Sequence, residues 1–142
     1  MPSFTTRIPN IREIGPVVDI KLALSPALID KLRENGETPP PPIQIKGLFD
    51  TGASLTVIQE GLSNKLKLQP IGIEKCQTAS SNDFSCYKYN LSIIFPNNVV
   101  IEVNAIEMPL SGQNIQCLIG RDILSLGIFI YNGYIGEFSY SL

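Results

Sequence analysis

Apolar residues recur along this chain mostly at every second position, the spacing of strands with one buried face. Gly15 to Leu24 alternates in its second half and is rich in Val and Ile, and Ile43 to Phe49, Leu55 to Ile58 and Gln116 to Ile119 predict further strands. Ile71 to Ala79 and Phe84 to Phe95 predict the arms of a long hairpin turning at Ser80-Ser81-Asn82-Asp83, and Asn97-Asn98 turns the chain into an alternating strand from Val99 to Ile106. Ile128 to Tyr131, Asn132-Gly133 and Tyr134 to Tyr140 predict a second hairpin, because Asn-Gly supplies the positive φ angles of a type I′ turn. Helical spacing is confined to short stretches. Ser25 as N-cap, Pro26 at the first helical position, then Leu28, Ile29 and Leu32 predict a helix to about Glu34, ending near Asn35-Gly36. Single helical turns are expected over Gln59 to Leu66 and Asp122 to Leu126, and Pro39 to Pro42 form a stiff extended spacer.

At 142 residues the chain suits one domain spanning residues 1–142, with 44% hydrophobic and 17% charged residues and a mean hydropathy of +0.14, a folded composition. The net charge of −2 comes without a basic stripe or a run of like charges, which argues against nucleic acid and anionic membrane as partners. No signal-peptide core or membrane-length apolar stretch is evident, so the expected location is cytoplasmic. The chain has no histidine. That excludes Ser-His and Cys-His nucleophilic sites, His-ligated zinc and His acid–base pairs. Cys76, Cys86 and Cys117 lack metal-ligand spacing and read as small buried hydrophobes, with a Cys76–Cys86 bridge across the hairpin as the alternative. The remaining chemistry rests on carboxylates, hydroxyls, Lys and backbone.

One short segment gathers these possibilities. Asp50-Thr51-Gly52-Ala53-Ser54 lies between Leu48-Phe49 and Leu55-Thr56-Val57-Ile58. An isolated Asp-Thr-Gly is equally a β-turn. Its apolar flanks, however, place a carboxylate where desolvation is costly, which proteins tolerate where the carboxylate is used. Some seventy residues on stands Cys117-Leu118-Ile119-Gly120-Arg121-Asp122-Ile123-Leu124, an apolar strand ending in a Gly turn.

Taken in that order and at that separation, the two motifs resemble the retropepsin-like aspartic proteases, over Ile43 to Leu126. The resemblance implies an all-β, closed-barrel acid-protease fold with one or two short helices, one catalytic loop per chain and no cofactor or metal. It implies that Asp50 is the catalytic carboxylate, with Thr51 bonding across a symmetry axis and Gly52 letting backbone approach the dyad. Asp19, Asp30, Asp83 and Asp122 lack a following Thr-Gly or Ser-Gly, so the second carboxylate is expected from another copy, in a C2 homodimer acting on a peptide or protein. Residues 71–95 correspond to the family's flap, whose tip here lacks glycine, and the resemblance puts Ala53, Thr78, Ala79, Ser80 and Ile119 at the substrate. Gly120 and Arg121 fall at the structural, interface position. Retroviral members pair this arginine with a carboxylate four residues after the catalytic Asp; Ser54 stands there, leaving the partner open. Residues 25–42 are an insertion, and the aromatics Phe129, Tyr131, Tyr134, Phe138 and Tyr140 are assigned to packing and the interface. Because Ala53 lacks a hydroxyl to bond to Asp50, a mildly acidic to near-neutral optimum is expected. A retropepsin-like module that binds peptide or dimerises without cleaving is the alternative.

Overall fold

A computed structural model of the chain describes residues 1–78, 81–110 and 114–142. The described residues form ten strands and four short helices: β1 (Ser3–Arg7), α1 (Ile11–Ile14), β2 (Val17–Ala23), α2 (Pro26–Glu34), β3 (Ile43–Phe49), β4 (Val57–Gln59), α3 (Leu62–Lys65), β5 (Gly72–Thr78), β6 (Ser81–Ile94), β7 (Val100–Met108), β8 (Cys117–Ile119), α4 (Arg121–Leu124), β9 (Ile128–Asn132) and β10 (Glu137–Ser141). Seven strands make one sheet in the order β2-β3-β8-β4-β7-β6-β5. Ala23, Leu22 and Lys21 of β2 also pair with Ser92, Ile93 and Ile94 of β6, which closes the sheet into a ring and leaves β5 outside it. The architecture is the expected all-β closed barrel.

The barrel closes because its strands alternate. Val18, Ile20 and Leu22 of β2, Leu91 and Ile93 of β6 and Ile119 of β8 point inward and are almost fully buried. A second sheet, β1-β10-β9, caps this core through a cluster of rings. Phe49, Phe95, Phe129, Phe138, Tyr140 and Phe4 of β1 lie with centroids 5.0–6.4 Å apart. Of the five C-terminal aromatics, Phe129, Phe138 and Tyr140 take the packing role, whereas Tyr131 and Tyr134 are exposed.

Helix α2 forms as its caps dictate. The Ser25 hydroxyl accepts the Leu28 N–H at 3.3 Å, and Gly36, at φ 75°, closes the helix with N–H bonds from Gly36 to Arg33 and from Glu37 to Leu32. Two local expectations are corrected. β1 went unseen because Phe4 is the one apolar residue in its Ser-Phe-Thr-Thr-Arg segment. The Asn132-Gly133 turn is not type I′, since neither residue has positive φ; the loop instead runs from Gly133 to Gly136 and takes its left-handed residue at Gly136, φ 69°. Gly136 is fixed by packing: its carbonyl accepts the Ile8 N–H at 2.7 Å, and a Cβ there would lie 2.8 Å from the Ile8 oxygen.

All three cysteines are free, with Cys86 and Cys117 buried and Cys76 half-buried. Burial, then the hydrogen bond and charge of the neighbouring Cys76 thiol, pushes Cys86 up to about 11 from 9.0. Burial and the Asp122 carboxylate also raise Cys117, and burial raises Tyr140. A raised value means the folded chain keeps a proton that the unfolded chain has released. Stability is therefore whole below pH 9.0 and falls as pH rises toward about 11. Each such group contributes at most about 1.4 kcal/mol per pH unit in its window. Urea midpoints measured across that window should fall, and Cys86→Ala should flatten the fall.

Candidate active site

β3 ends where its carboxylate begins. Phe49 is buried in the ring cluster, and the next residue, Asp50, donates its backbone N–H to the Ile119 carbonyl at 2.9 Å. The Asp50 carbonyl accepts the Ala53 N–H at 3.2 Å, and its carboxylate oxygen Oδ1 accepts the Gly52 N–H at 2.8 Å. The loop thus turns tightly and holds the half-buried carboxylate at its mouth. Gly52 suits this turn, because an added Cβ would come within 3.1 Å of that same oxygen.

Gly120 holds the loop from below. A Cβ there would lie 2.7 Å from the carbonyl carbon and oxygen of Leu55 and 3.0 Å from the Ala53 oxygen. These are backbone atoms and cannot swing aside. Gly120→Ala is expected to destabilise the chain by roughly 2–3 kcal/mol in urea unfolding, since the whole 50–55 loop must shift. Arg121 follows, and its open partner is now assigned. Its Nη1 donates to the Thr51 carbonyl at 2.6 Å, and its backbone N–H donates to Ala53 at 2.8 Å. The guanidinium thus grips loop backbone where retroviral members use a carboxylate.

The residues that sequence reasoning left without a role are Thr56 and Asp122. Asp122 accepts the Thr56 N–H at 2.9 Å, the Thr56 hydroxyl at 2.8 Å and the Ile123 N–H at 2.9 Å, and Thr56 Oγ1 in turn accepts the Gly120 N–H at 3.2 Å. The family pattern contains the acidic residue after Gly-Arg, but nothing in the chain's periodicity points to a fully buried threonine 66 positions away.

Asp50, Gly52 and Ala53 line one side of an open groove of about 620 Å³, and Glu74, Cys76 and Gln77 of β5 line the other. Its floor is a row across three strands, where Val57 of β4 sits between Ile106 of β7 and Leu118 of β8. Cys86 and Phe84 of β6 pack on the same apolar cluster, so the β5–β6 hairpin is seated on the groove rather than standing clear of it. Ile119, expected at the groove, is instead fully buried in the barrel. The alternation of β8 turns Leu118 toward the groove, and Ile119 serves the loop through its carbonyl. The β5–β6 ladder includes the pair Thr78–Ser81, so Ser81, Asn82 and Asp83, expected in the turn, belong to β6. Of the hairpin residues expected at the substrate, Thr78 ends β5 and Ala79 and Ser80 lie outside the described residues. Thr51 is exposed beside the loop.

A closed barrel carrying one Asp-Thr-Gly loop beneath a hairpin matches what comparison with known proteins finds. A family model described as aspartyl protease matches residues 23–123, and the chain belongs to that family as a retropepsin-like member. Among solved structures, a retropepsin-like aspartic protease from Rickettsia conorii shares the fold at a TM-score of 0.51 and 14% identity, over 99% of this chain and 94% of that one. The inhibitor-bound EIAV protease aligns at a TM-score of 0.42 and 16% identity over 78% and 85%, and the retroviral protease-like domain of Ddi1 from Leishmania major at 0.43 and 9% over 82% of each chain. No curated protein matches the sequence. No helix among the described residues is long and apolar enough to cross a membrane.

Proposed function

We propose that this chain is one subunit of a homodimeric, cytoplasmic aspartic endopeptidase in which Asp50 faces its symmetry copy. The observation that carries the reading is the Asp50 carboxylate itself, held at the mouth of a braced loop and opening onto a groove with an apolar floor. Alone among the five aspartates it is followed by Thr-Gly, so a second copy must supply the other carboxylate.

Two such groups at close range share one proton. The ionised member takes a proton from a bound water, whose oxygen attacks the peptide carbonyl carbon. The protonated member gives its proton to the developing oxyanion. As the C–N bond breaks, the nitrogen leaves with a proton returned through the dyad. Metal and cofactor have no step in this scheme. Thr51 tethers the paired loops, Gly52 and Ala53 admit the substrate backbone, and Thr78, Ala79 and Ser80 cover it. Gly120 and Arg121 keep the loop in shape. The substrate is a peptide or unfolded protein segment, with nucleic acid and membrane assigned no part.

The test is the order of the reaction in enzyme. Initial rates of peptide cleavage should rise with the second power of chain concentration where monomers dominate, and with the first power once dimers dominate. A rate that stays proportional to enzyme, at concentrations where light scattering finds monomers alone, leaves the second copy without a role.

A further inference from the structure

The proposed chemistry uses none of the three cysteines, yet two of them meet where the β5–β6 hairpin is seated on the groove. The hairpin pairs Glu74 with Cys86 and Cys76 with Phe84, so both thiols lie on one face, diagonal to each other. Diagonal neighbours are within side-chain reach, and these two thiols are hydrogen-bonded together. Their surroundings differ. Cys76 is half-buried and lines the groove, whereas Cys86 is buried and packs with Val57, Ile106 and Leu110. Cys117, the third, belongs to the barrel core.

The segment carrying the pair has little else to fix its backbone. Pairing of β6 with β7 starts at Lys88, so from Gly72 to Tyr87 the described hairpin residues have only each other as ladder partners. The ladder is also irregular just beyond the pair, between Cys76 and Thr78. A two-stranded ribbon of this kind opens and slides more readily than the closed barrel behind it.

We propose that Cys76 and Cys86 form a reversible thiol–disulfide pair that switches the hairpin between two shapes over the groove. Both are thiols in the structure described above. Diagonal partners have Cα atoms roughly 7–8 Å apart, beyond the usual disulfide span of about 4.4–6.8 Å. Closing the bond therefore draws the arms together by about 1 Å, and moves Cys76, with Glu74 and Gln77 beside it, from their places in the groove wall. A small-molecule disulfide is the oxidant. The Cys76 sulfur, open to the groove, loses its proton to water and attacks one sulfur of that disulfide, breaking its S–S bond and releasing one thiolate. The Cys86 sulfur then gives its proton to that thiolate, attacks Cys76 Sγ and releases the second thiolate, which takes a proton from water. Two protein thiols become one disulfide, and one small disulfide becomes two thiols. The effect on cleavage rests on the protease reading; the bridge itself does not.

Oxidised glutathione added to the folded full chain, followed by mass and by amide exchange, tests the pair. The wild type should lose two hydrogens, with the bridge mapped to Cys76–Cys86 and Cys117 still a thiol, and dithiothreitol should reverse the change. Cys86→Ser, which lacks the second sulfur, should stop with one glutathione attached, and Cys76→Ser should take up none. Amide exchange along β5 should slow at least about tenfold in the bridged chain, because its parting from β6 is now tethered. Peptide cleavage by the wild type should fall about tenfold on oxidation and return with dithiothreitol, whereas Cys76→Ser should keep its own untreated rate throughout. A wild-type chain that stays unmodified, or that holds glutathione on Cys76 without bridging, overturns the proposal. So does a bridge that leaves β5 exchange unchanged, or that leaves an active chain cleaving at its reduced-state rate. A chain that cleaves no peptide even when reduced removes the protease reading, and mass and exchange still decide the pair.

Discussion

Asp50→Asn is expected to lower the rate of peptide cleavage by about 10²–10⁴-fold, the usual scale for removing a general acid–base group. The substitution isolates the chemistry because it keeps the shape. The asparagine oxygen can still accept the Gly52 N–H that Asp50 Oδ1 now accepts at 2.8 Å, and Asp50 is only half-buried, so the loop has little reason to move. Unfolding free energy should accordingly change by less than about 1 kcal/mol. The two measurements belong together, since a large loss of both rate and stability would mean that the loop had collapsed. Mixing adds a second reading. If each active site needs two aspartates, an equimolar amount of the Asn variant should cut the activity of the wild-type chains to about half by drawing them into mixed dimers. Undiminished cleavage by pure Asp50→Asn protein would end the protease proposal.

The fold was legible where one local rule governed a whole element. The alternation of Ile43 to Phe49 located β3 to the residue, and Ser25-Pro26 with Asn35-Gly36 bracketed α2 correctly because capping is decided within a few residues. The Asp50 loop and the Gly120 turn could be linked from sequence only through the resemblance to the retropepsin-like pattern, in which the two motifs occur in that order. What escaped was set by distant packing. At Asn132-Gly133 the local preference for a two-residue turn lost to Gly136, whose backbone bonds to Ile8. On three-residue β8, alternation allows either Leu118 or Ile119 to face the groove, and the bond from Asp50 N–H to the Ile119 carbonyl accompanies the choice seen. Thr56 and Asp122 were invisible for a related reason. A polar pair between remote segments, buried Thr56 and half-buried Asp122, leaves no period in the sequence, only two polar letters next to apolar ones.

That pair sets the second large expectation. Asp122→Ala removes the acceptor of the Thr56 N–H and the Thr56 hydroxyl, and Thr56, with no exposed surface, has no water to replace it; the Ile123 N–H keeps the Gly120 carbonyl at 3.1 Å. Leaving such buried donors unpaired costs about 1–3 kcal/mol each, so a total near 3 kcal/mol is expected even after partial relaxation. Thr56→Val keeps the volume but loses the hydroxyl that bonds both Asp122 and the Gly120 N–H, and should cost a comparable amount. Because the two residues act as one unit, the double variant should lose clearly less than the sum of the single losses. The damage should also reach the proposed chemistry, since Gly120 supports the loop that carries Asp50, and small misplacements of a reacting group can lower rates about 10²-fold. The pair's specific part is read by comparison with a buried site away from the loop. Leu91→Ala, deep in the barrel, should lower stability as much or more while sparing the rate of the fraction still folded. An Asp122→Ala chain that unfolds within about 1 kcal/mol of the wild type would mean that the Asp50 loop is held up by something other than this network.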